Sequence, residues 1–253
     1  MLTATRQEKI RFLLQKHGHL TVSELAGQFG VSEMTIRRDL KRLASMGLVQ
    51  REHGKAVYPQ NPQTRNALFI TRLGEAYKEK IAIGKAAVDF VNEGESIILD
   101  SGTTTLAIAL ALTKKCIVVT NSLPVADVLE MRQDITILLT GGEVQRATYS
   151  LMGPMTRENL SGFNADKLFL AATGISAEKG LSTTSMAESE VKQAMISSAK
   201  EVILVAHSEK LGQLCYHTFT KWENIDIFIT DTSADPNLLK KIKQNGGEII
   251  LAN

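Results

Sequence analysis

Two groups of residues in this 253-residue chain carry chemistry by their type and spacing. The first is a run of cations, Arg37, Arg38, Lys41 and Arg42. Arginine can fork two donors onto the edge of a guanine, and lysine or arginine can neutralise phosphate, so such a run suits a duplex nucleic acid. The second is Asp100-Ser101-Gly102-Thr103-Thr104-Thr105. Hydroxyls and a glycine just before a helix N-terminus make an anion cradle, most naturally for phosphate. Thr120-Asn121-Ser122 and Thr140-Gly141-Gly142-Glu143 have a similar make-up. Each loop alone is ordinary turn chemistry; three on one sheet edge make a candidate pocket.

Short helices position the cations. The spacing predicts a first helix over Thr5–His17 around Ile10, Leu13 and Leu14, stopping at Gly18. Thr21-Val22-Ser23-Glu24 is a capping box that opens a second helix carrying Val22, Leu25, Ala26 and Phe29 and ending at Gly30. Ser32 caps a third helix that runs to Met46 and stops at Gly47. Two helices around a glycine turn form a helix-turn-helix. Ile36, Leu40 and Leu43 mark the buried stripe of the third helix. At ~100° per residue, Met34, Arg38, Lys41 and Ser45 face away from that stripe, Arg37 and Arg42 flank them, and Asp39 sits on the edge. Leu48–Arg51 reads as a strand, His53-Gly54 as a turn and Ala56–Tyr58 as a return strand. This wing places Arg51, His53 and Lys55 near its tip, in reach of phosphate. The contact set expected for DNA is Ser32, Met34, Thr35, Arg37, Arg38, Lys41, Arg42, Arg51, His53 and Lys55.

Three segments result: a winged helix-turn-helix over 1–58, a linker over 59–74 that starts with polar, proline-containing sequence, and an α/β body over 75–253. In the body a helix is expected over Glu75–Val91, then apolar strands at Ser96–Asp100, Cys116–Thr120, Ile135–Thr140, Lys167–Ala172, Val202–Ala206, Ile225–Thr230 and Ile249–Leu251. Helices at Thr104–Leu112, Pro124–Met131, Glu188–Lys200 and Pro236–Gln244 alternate with them. Near-continuous apolar strands between helices predict a mainly parallel sheet covered on both faces.

Composition narrows the class. Residues 1–60 hold ten Lys and Arg against five Asp and Glu, whereas the whole chain is only +2, so a basic module precedes a mildly acidic body. No apolar run reaches the roughly 20 residues of a bilayer span, and Arg6, Glu8, Lys9 and Arg11 interrupt any signal-peptide core. A cytoplasmic protein with no membrane partner is expected. Cys116 and Cys215 lack metal-ligand spacing and read as buried free thiols; no metal or cofactor is expected.

Val31-Ser32-Glu33-Met34-Thr35-Ile36-Arg37-Arg38-Asp39-Leu40, with Arg51-Glu52-His53-Gly54, closely resembles the signature of the DeoR family of bacterial carbon-metabolism regulators. The family usually carries a second glycine where this wing has Lys55. The resemblance extends over Asp100–Thr104, Val119–Ser122, Gly141-Gly142, Gly153-Pro154 and Glu190–Lys192 to a sensor domain related in fold to ribose-5-phosphate isomerase and glucosamine-6-phosphate deaminase. It implies a repressor of a carbohydrate operon, controlled by a phosphorylated sugar. By resemblance, Asp100, Ser101, Gly102, Thr103, Thr104 and Asn121 line the pocket with Gly141 and Gly142, Glu190 accepts hydroxyls, and Lys192 and Lys210 meet the anion. The family's Asp-x-Ser-Lys-x-Gly string is here His207-Ser208-Glu209-Lys210-Leu211-Gly212, which replaces an acid with His207 and a serine with Glu209.

Operator half-sites mirror protein symmetry, so the partners expected are double-stranded operator DNA, a sugar phosphate and further copies of this chain, as a dimer or tetramer. The alternative is a sugar-phosphate isomerase or deaminase with an accessory winged helix, for which Asp100, Glu143, Glu190 and His207 are candidate bases. No catalytic set stands out. A winged helix that binds protein is disfavoured by the cationic third helix.

Overall fold

A computed structural model describes residues 6–7, 9–10, 13–14, 18–45, 49–52, 54–57 and 67–253. The chain divides into two compact units, Met1–Glu75 and Ala76–Asn253.

In the first unit Arg6, Gln7, Lys9, Ile10, Leu13 and Leu14 are helical; the rest of the expected Thr5–His17 helix lies outside the described residues. Gly18 turns out at φ +78°, its N–H donating to the Leu14 carbonyl at 2.7 Å. A short strand β1 (His19–Thr21), not foreseen from sequence, leads into α1 (Val22–Phe29). The capping box is reciprocal: Glu24 N–H donates to Thr21 Oγ1 at 3.1 Å, and Thr21 N–H to Glu24 Oε2 at 2.7 Å. Gly30 ends α1 in the left-handed region at φ 63°. Ser32 accepts the Thr35 N–H at 3.3 Å and starts α2 (Glu33–Ser45); the predicted stop at Met46-Gly47 lies outside the described residues. Ile10, Leu14, Leu25, Ile36, Leu40, Leu43, Val49 and Ala56 form one core. The wing is β2 (Gln50–Glu52) and β3 (Lys55–Val57), and β1 adds a third strand in the order β1-β3-β2.

Part of the expected linker is a helix, α3 (Ala67–Gly74). Its apolar residues do carry a helical period, with Phe69 and Leu73 at i, i+4, a readable signal that the polar, proline-containing start of the segment outweighed. Residues 59–66 lie outside the described residues.

The second unit opens with α4 (Tyr77–Val88), which starts two residues later than expected because Ala76 takes a left-handed conformation at φ 46°. Seven parallel strands follow: β4 (Ser96–Leu99), β5 (Ile117–Thr120), β6 (Thr136–Leu139), β9 (Ala165–Leu170), β12 (Ala199–Val205), β14 (Ile227–Asp231) and β15 (Glu248–Ala252). Their spatial order is β15-β14-β12-β9-β4-β5-β6. The inner strands are buried on both faces, as a helix-covered parallel sheet requires. On one face Ile98, Leu168, Leu170, Leu204 and Phe228 pack with Val191 and Met195 of α8 (Met186–Ser197). On the other, α4 lies against α5 (Thr103–Ala111) and over β14. Gly84 permits that approach: a Cβ there would stand 2.7 Å from the Ala107 carbonyl.

Several small elements escaped the sequence reading. These are the hairpin β7 (Glu143–Gln145) and β8 (Ser150–Met152), the helix α7 (Pro154–Ser161), and an antiparallel sheet of β10 (Gly174–Ser176), β11 (Gly180–Thr183) and β13 (His217–Thr220). Each strand has only three or four residues, many of them polar or glycine, so no alternation could be counted. The helices α6 (Leu123–Leu129) and α9 (Pro236–Asn245) were expected. Burial pushes the Cys116 thiol up to about 11; Cys215 is only half-buried, contrary to expectation. Among the described residues, no helix is long and apolar enough to cross a membrane.

Candidate functional site

Helix α2 presents its cations outward. Ile36, Leu40 and Leu43 are buried, whereas Met34 (68% exposed), Arg37, Arg38, Lys41 and Arg42 are exposed. Ser32 and Thr35 share a hydroxyl–hydroxyl bond of 3.0 Å at the helix start, and Arg37 pairs with Glu33 one turn back at 3.3 Å. Lys55 stands half-buried on β3, and Arg51 falls in β2. His53 lies outside the described residues. The expected place of Asp39 is wrong: it is 1% exposed and accepts from Arg6 Nε at 2.6 Å and Gln7 Nε2 at 2.9 Å. Its angular position explains this. At ~100° per residue it falls within ~40° of Leu43, so it belongs to the buried arc. The outward face of α2 therefore carries no Asp39 charge to offset its cations.

In the second unit the sheet topology singles out one place. Strands β4, β5 and β6 extend the sheet one way, and β9, β12, β14 and β15 extend it the other. The strand order reverses between β4 and β9, and ligands of open α/β sheets bind beyond the carboxyl ends at such a point. Asp100 follows β4 there, Ala171 follows β9, and the Ala171 N–H donates to Asp100 Oδ2 at 2.9 Å. Lys192 Nζ, on α8, donates to Asp100 Oδ2 at 2.5 Å and to the Ala171 carbonyl at 2.9 Å, and stands 3.4 Å from Glu188 Oε1. Both Lys192 and Asp100 are 1% exposed. Burial disfavours the ammonium, but Asp100 and Glu188 together outweigh that and raise the Lys192 pKa above its ordinary value. The lysine also lies 5.6 Å over the Phe219 ring.

This corrects two expectations. Lys192 has three protons and three acceptors within the protein, so it braces the site instead of offering a free charge to an anion. Glu190 points elsewhere: it is half-exposed and accepts from Arg157 at 2.8 Å. The acid beside Lys192 is Glu188, whose other oxygen accepts from Thr183. The i,i+4 spacing of Glu188 and Lys192 was a readable signal.

What remains open at the switch point is polar. Helix α5 begins at Gly102 with no side-chain cap and no acid in its first turn. Thr103 and Thr104 occupy that turn, and Thr105 Oγ1 is spent on the Asp100 carbonyl at 2.6 Å. Ser101 Oγ, fully enclosed, has no partner among the described residues. Neither has Asn121 Oδ1, although Asn121 Nδ2 donates to the Leu151 carbonyl at 3.1 Å. Asn121 follows β5, the strand next to β4. Buried polar atoms without partners are rare in native proteins, and here two lie after neighbouring strands beside an uncapped helix end.

The third expected loop is otherwise employed. Thr156 Oγ1 donates to the Gly141 carbonyl at 2.7 Å and Asn159 Nδ2 to the Thr140 carbonyl at 2.7 Å, which seats α7 against the end of β6. Gly142 has φ +120°, and a Cβ on it would stand 2.1 Å from Thr156 Oγ1. Lys210 is half-buried in a one-turn helix after β12, beside His207 and two strands away from β4.

Comparison with known proteins accords with both halves. The family model described as the DeoR-like helix-turn-helix domain matches residues 6–61, and the DeoR C terminal sensor domain matches residues 75–232. The chain belongs to the DeoR family. It is 34% identical to the HTH-type transcriptional regulator GlpR of Haloferax volcanii, covering 99% of this chain and 98% of that one. It is 33% identical to the HTH-type transcriptional repressor GlcR of Bacillus subtilis (94% and 92% covered) and 32% identical to the lactose phosphotransferase system repressor of Lactococcus lactis (94% and 95% covered). Among solved structures, ribose 5-phosphate isomerase A of Methanocaldococcus jannaschii is similar at a TM-score of 0.40 and 16% identity over 54% of this chain and 55% of that one. The full-length sorbitol operon regulator SorC of Klebsiella pneumoniae is similar at 0.41 and 14%, over 93% of this chain and 97% of that one. This DeoR-family chain is thus a DNA-binding transcriptional regulator.

Proposed function

We propose that the chain represses a carbohydrate operon by docking α2 in the major groove, and that a phosphorylated sugar bound at the β4–β9 switch point controls this. The observation that carries the effector half is the uncapped N-terminus of α5 beside the unfilled Ser101 hydroxyl. Helix N–H groups and a hydroxyl donor suit phosphate oxygens, and Asn121 Oδ1, an acceptor, suits a sugar hydroxyl. A relative named as the lactose phosphotransferase system repressor supports the choice of operon. Binding without turnover is favoured by Asp100 and Lys192, which are each committed to protein partners and so are not free as acid or base. Segments 1–58, 59–74 and 75–253 serve as DNA reader, linker and sensor. An oligomer of this chain in the cytoplasm reads a two-fold operator.

The test is fluorescence anisotropy of the pure full chain on its own upstream DNA, with and without a panel of sugar phosphates. The reading requires a salt-sensitive, site-specific complex that at least one sugar phosphate weakens tenfold or more. A complex indifferent to every phosphate probe would overturn the effector half, and absence of any specific complex would overturn the whole.

A further inference from the structure

Two further buried polar atoms without partners among the described residues lie near the carboxyl ends of β12 and β14, His207 Nδ1 and Thr230 Oγ1. His207 follows β12 and is only 4% exposed, yet its Nδ1 has no partner among the described residues. Its Nε2 stands 3.7 Å from Glu209 Oε2. Burial first, then Lys80 of α4 and Lys210, push its pKa down to about 4 against the opposing pull of Asp231. The imidazole is therefore neutral at pH 7, with one N–H and one bare nitrogen. An N–H on Nε2 faces the Glu209 carboxylate favourably, which leaves Nδ1 as a lone-pair acceptor without a protein partner among the described residues.

An acceptor sealed from water and left unmatched costs free energy that replacement by an apolar side chain would recover. A chain gains from retaining it if a ligand supplies the donor. The position fits one. β12 is two strands from β4, so His207 stands about 10 Å along the sheet edge from Ser101 and the α5 N-terminus. A five- or six-carbon sugar phosphate can bridge that span.

We propose that His207 Nδ1 accepts a hydroxyl at the end of the effector remote from its phosphate, so that the site selects hydroxyl-terminated monophosphates over sugars with a second anionic group. This rests on the phosphate reading at α5. A carboxylate or the dianion of a phosphate monoester, the main forms at neutral pH, offers only acceptor oxygens. Lys80 and Lys210 are the cations near this histidine, but at Nδ1 itself an anion meets another acceptor, with Glu209 close by, whereas a hydroxyl completes the bond.

The experiment uses the full chain and calorimetric or thermal-shift titration with inorganic phosphate and paired probes: glucose 6-phosphate with 6-phosphogluconate, fructose 6-phosphate with fructose 1,6-bisphosphate, and ribose 5-phosphate with ribulose 1,5-bisphosphate. The wild type should bind its best monophosphate at least tenfold tighter than inorganic phosphate and tenfold tighter than the doubly anionic partner. His207→Leu should erase that tenfold gain while leaving inorganic phosphate within twofold. His207→Asn, which keeps an acceptor, should restore at least a third of the sugar-phosphate affinity. The ligand-free Tm of His207→Leu should equal or exceed that of the wild type, as removal of an unmatched polar group predicts; a lower Tm would show that Nδ1 serves the fold and would overturn the proposal. Equal loss of sugar phosphate and inorganic phosphate in His207→Leu would also overturn it, as would a wild-type preference for the doubly anionic probes. If inorganic phosphate and every monophosphate fail to bind the wild type, the phosphate reading itself falls with it.

Discussion

Arg6 Nε donates to Asp39 Oδ2 at 2.6 Å, and their side chains are 8% and 1% exposed. This ion pair ties the first described helical residues to the inner side of α2, the helix whose outer side holds Arg37 and Arg38. Asp39→Ala removes one partner and leaves the Arg6 charge enclosed. Unpairing a buried ion pair costs about 3–5 kcal/mol. Urea denaturation of the full chain should show an early transition for the N-terminal unit, and DNA binding should fall in parallel. An unchanged transition would place the pair among those of little energetic weight.

Arg38→Ala should weaken operator binding by about 1–3 kcal/mol and relax the preference at one base pair. Lys41→Ala should weaken all sequences alike and make the slope of log Kd against log salt shallower by roughly one. Anisotropy titrations at several salt concentrations separate the two behaviours. Identical effects from both substitutions would contradict the assignment of base reading to Arg38.

Lys192→Met isolates the Asp100 carboxylate in a closed site and should destabilise the sensor unit by about 3–5 kcal/mol. Lys192→Met combined with Asp100→Leu should regain part of that loss, since the Asp100 charge is then removed with its partner and only Glu188, 13% exposed, still lacks the lysine. Chemical denaturation of these two variants, of Asp100→Leu alone and of the wild type completes a double-mutant cycle. Additive losses in the double variant would mean that the two side chains act independently.

Stability should also respond to mild acid through His207. The folded state keeps this imidazole neutral to about pH 4, while the unfolded chain protonates it near 6.5. Between those values the unfolded state holds the extra proton, so stability is complete above pH 6.5 and is lost as the pH falls towards 4. By about pH 5 the loss attributable to this residue is at most about 2 kcal/mol. Asp231 acts in the same direction but only in stronger acid, below its ordinary value of 3.8. Burial opposes its charge, but hydrogen bonds from Ser208 and Ser233 hold its carboxyl below the ordinary value, and protonation sacrifices them. The wild type should therefore lose more stability than His207→Leu between pH 7 and about pH 5. Parallel pH curves for the two proteins would exclude the histidine as a contributor.

Gly142→Ala should destabilise the sensor unit by more than about 2 kcal/mol, because φ is +120° and the new methyl would collide with Thr156 Oγ1 and the Met152 carbonyl. A Tm within a degree or so of the wild type would show that the loop can relax.

The helix-turn-helix and the parallel sheet were legible because their signals are local: a capping box at Thr21 and Glu24, an apolar stripe through Ile36, Leu40 and Leu43, and unbroken apolar strands. What stayed hidden depends on partners distant in sequence. Asp39 reads as a surface acid until Arg6, 33 residues away, is seen beside it. Lys192 looks like an anion ligand until Asp100, 92 residues away, occupies it. The unmatched Ser101 and His207 atoms have no sequence signature, since an absent partner leaves no pattern. The β10-β11-β13 sheet is built from strands too short for periodicity to reveal.

The middle of the large sheet has a temporal meaning too. Its central neighbours β4 and β9 are held by Ser96 N–H donating to Asp166 Oδ2 at 2.9 Å, a closure across 70 residues. Nothing in the second unit can complete its interior until the ribosome has delivered β9, and β12 and β14 follow later still. The winged module is local in its contacts and leaves the tunnel first. During every round of synthesis there is consequently an interval in which a nascent chain owns a finished DNA reader and no finished sensor. A half-site met in that interval would be touched by a reader that no sensor yet governs.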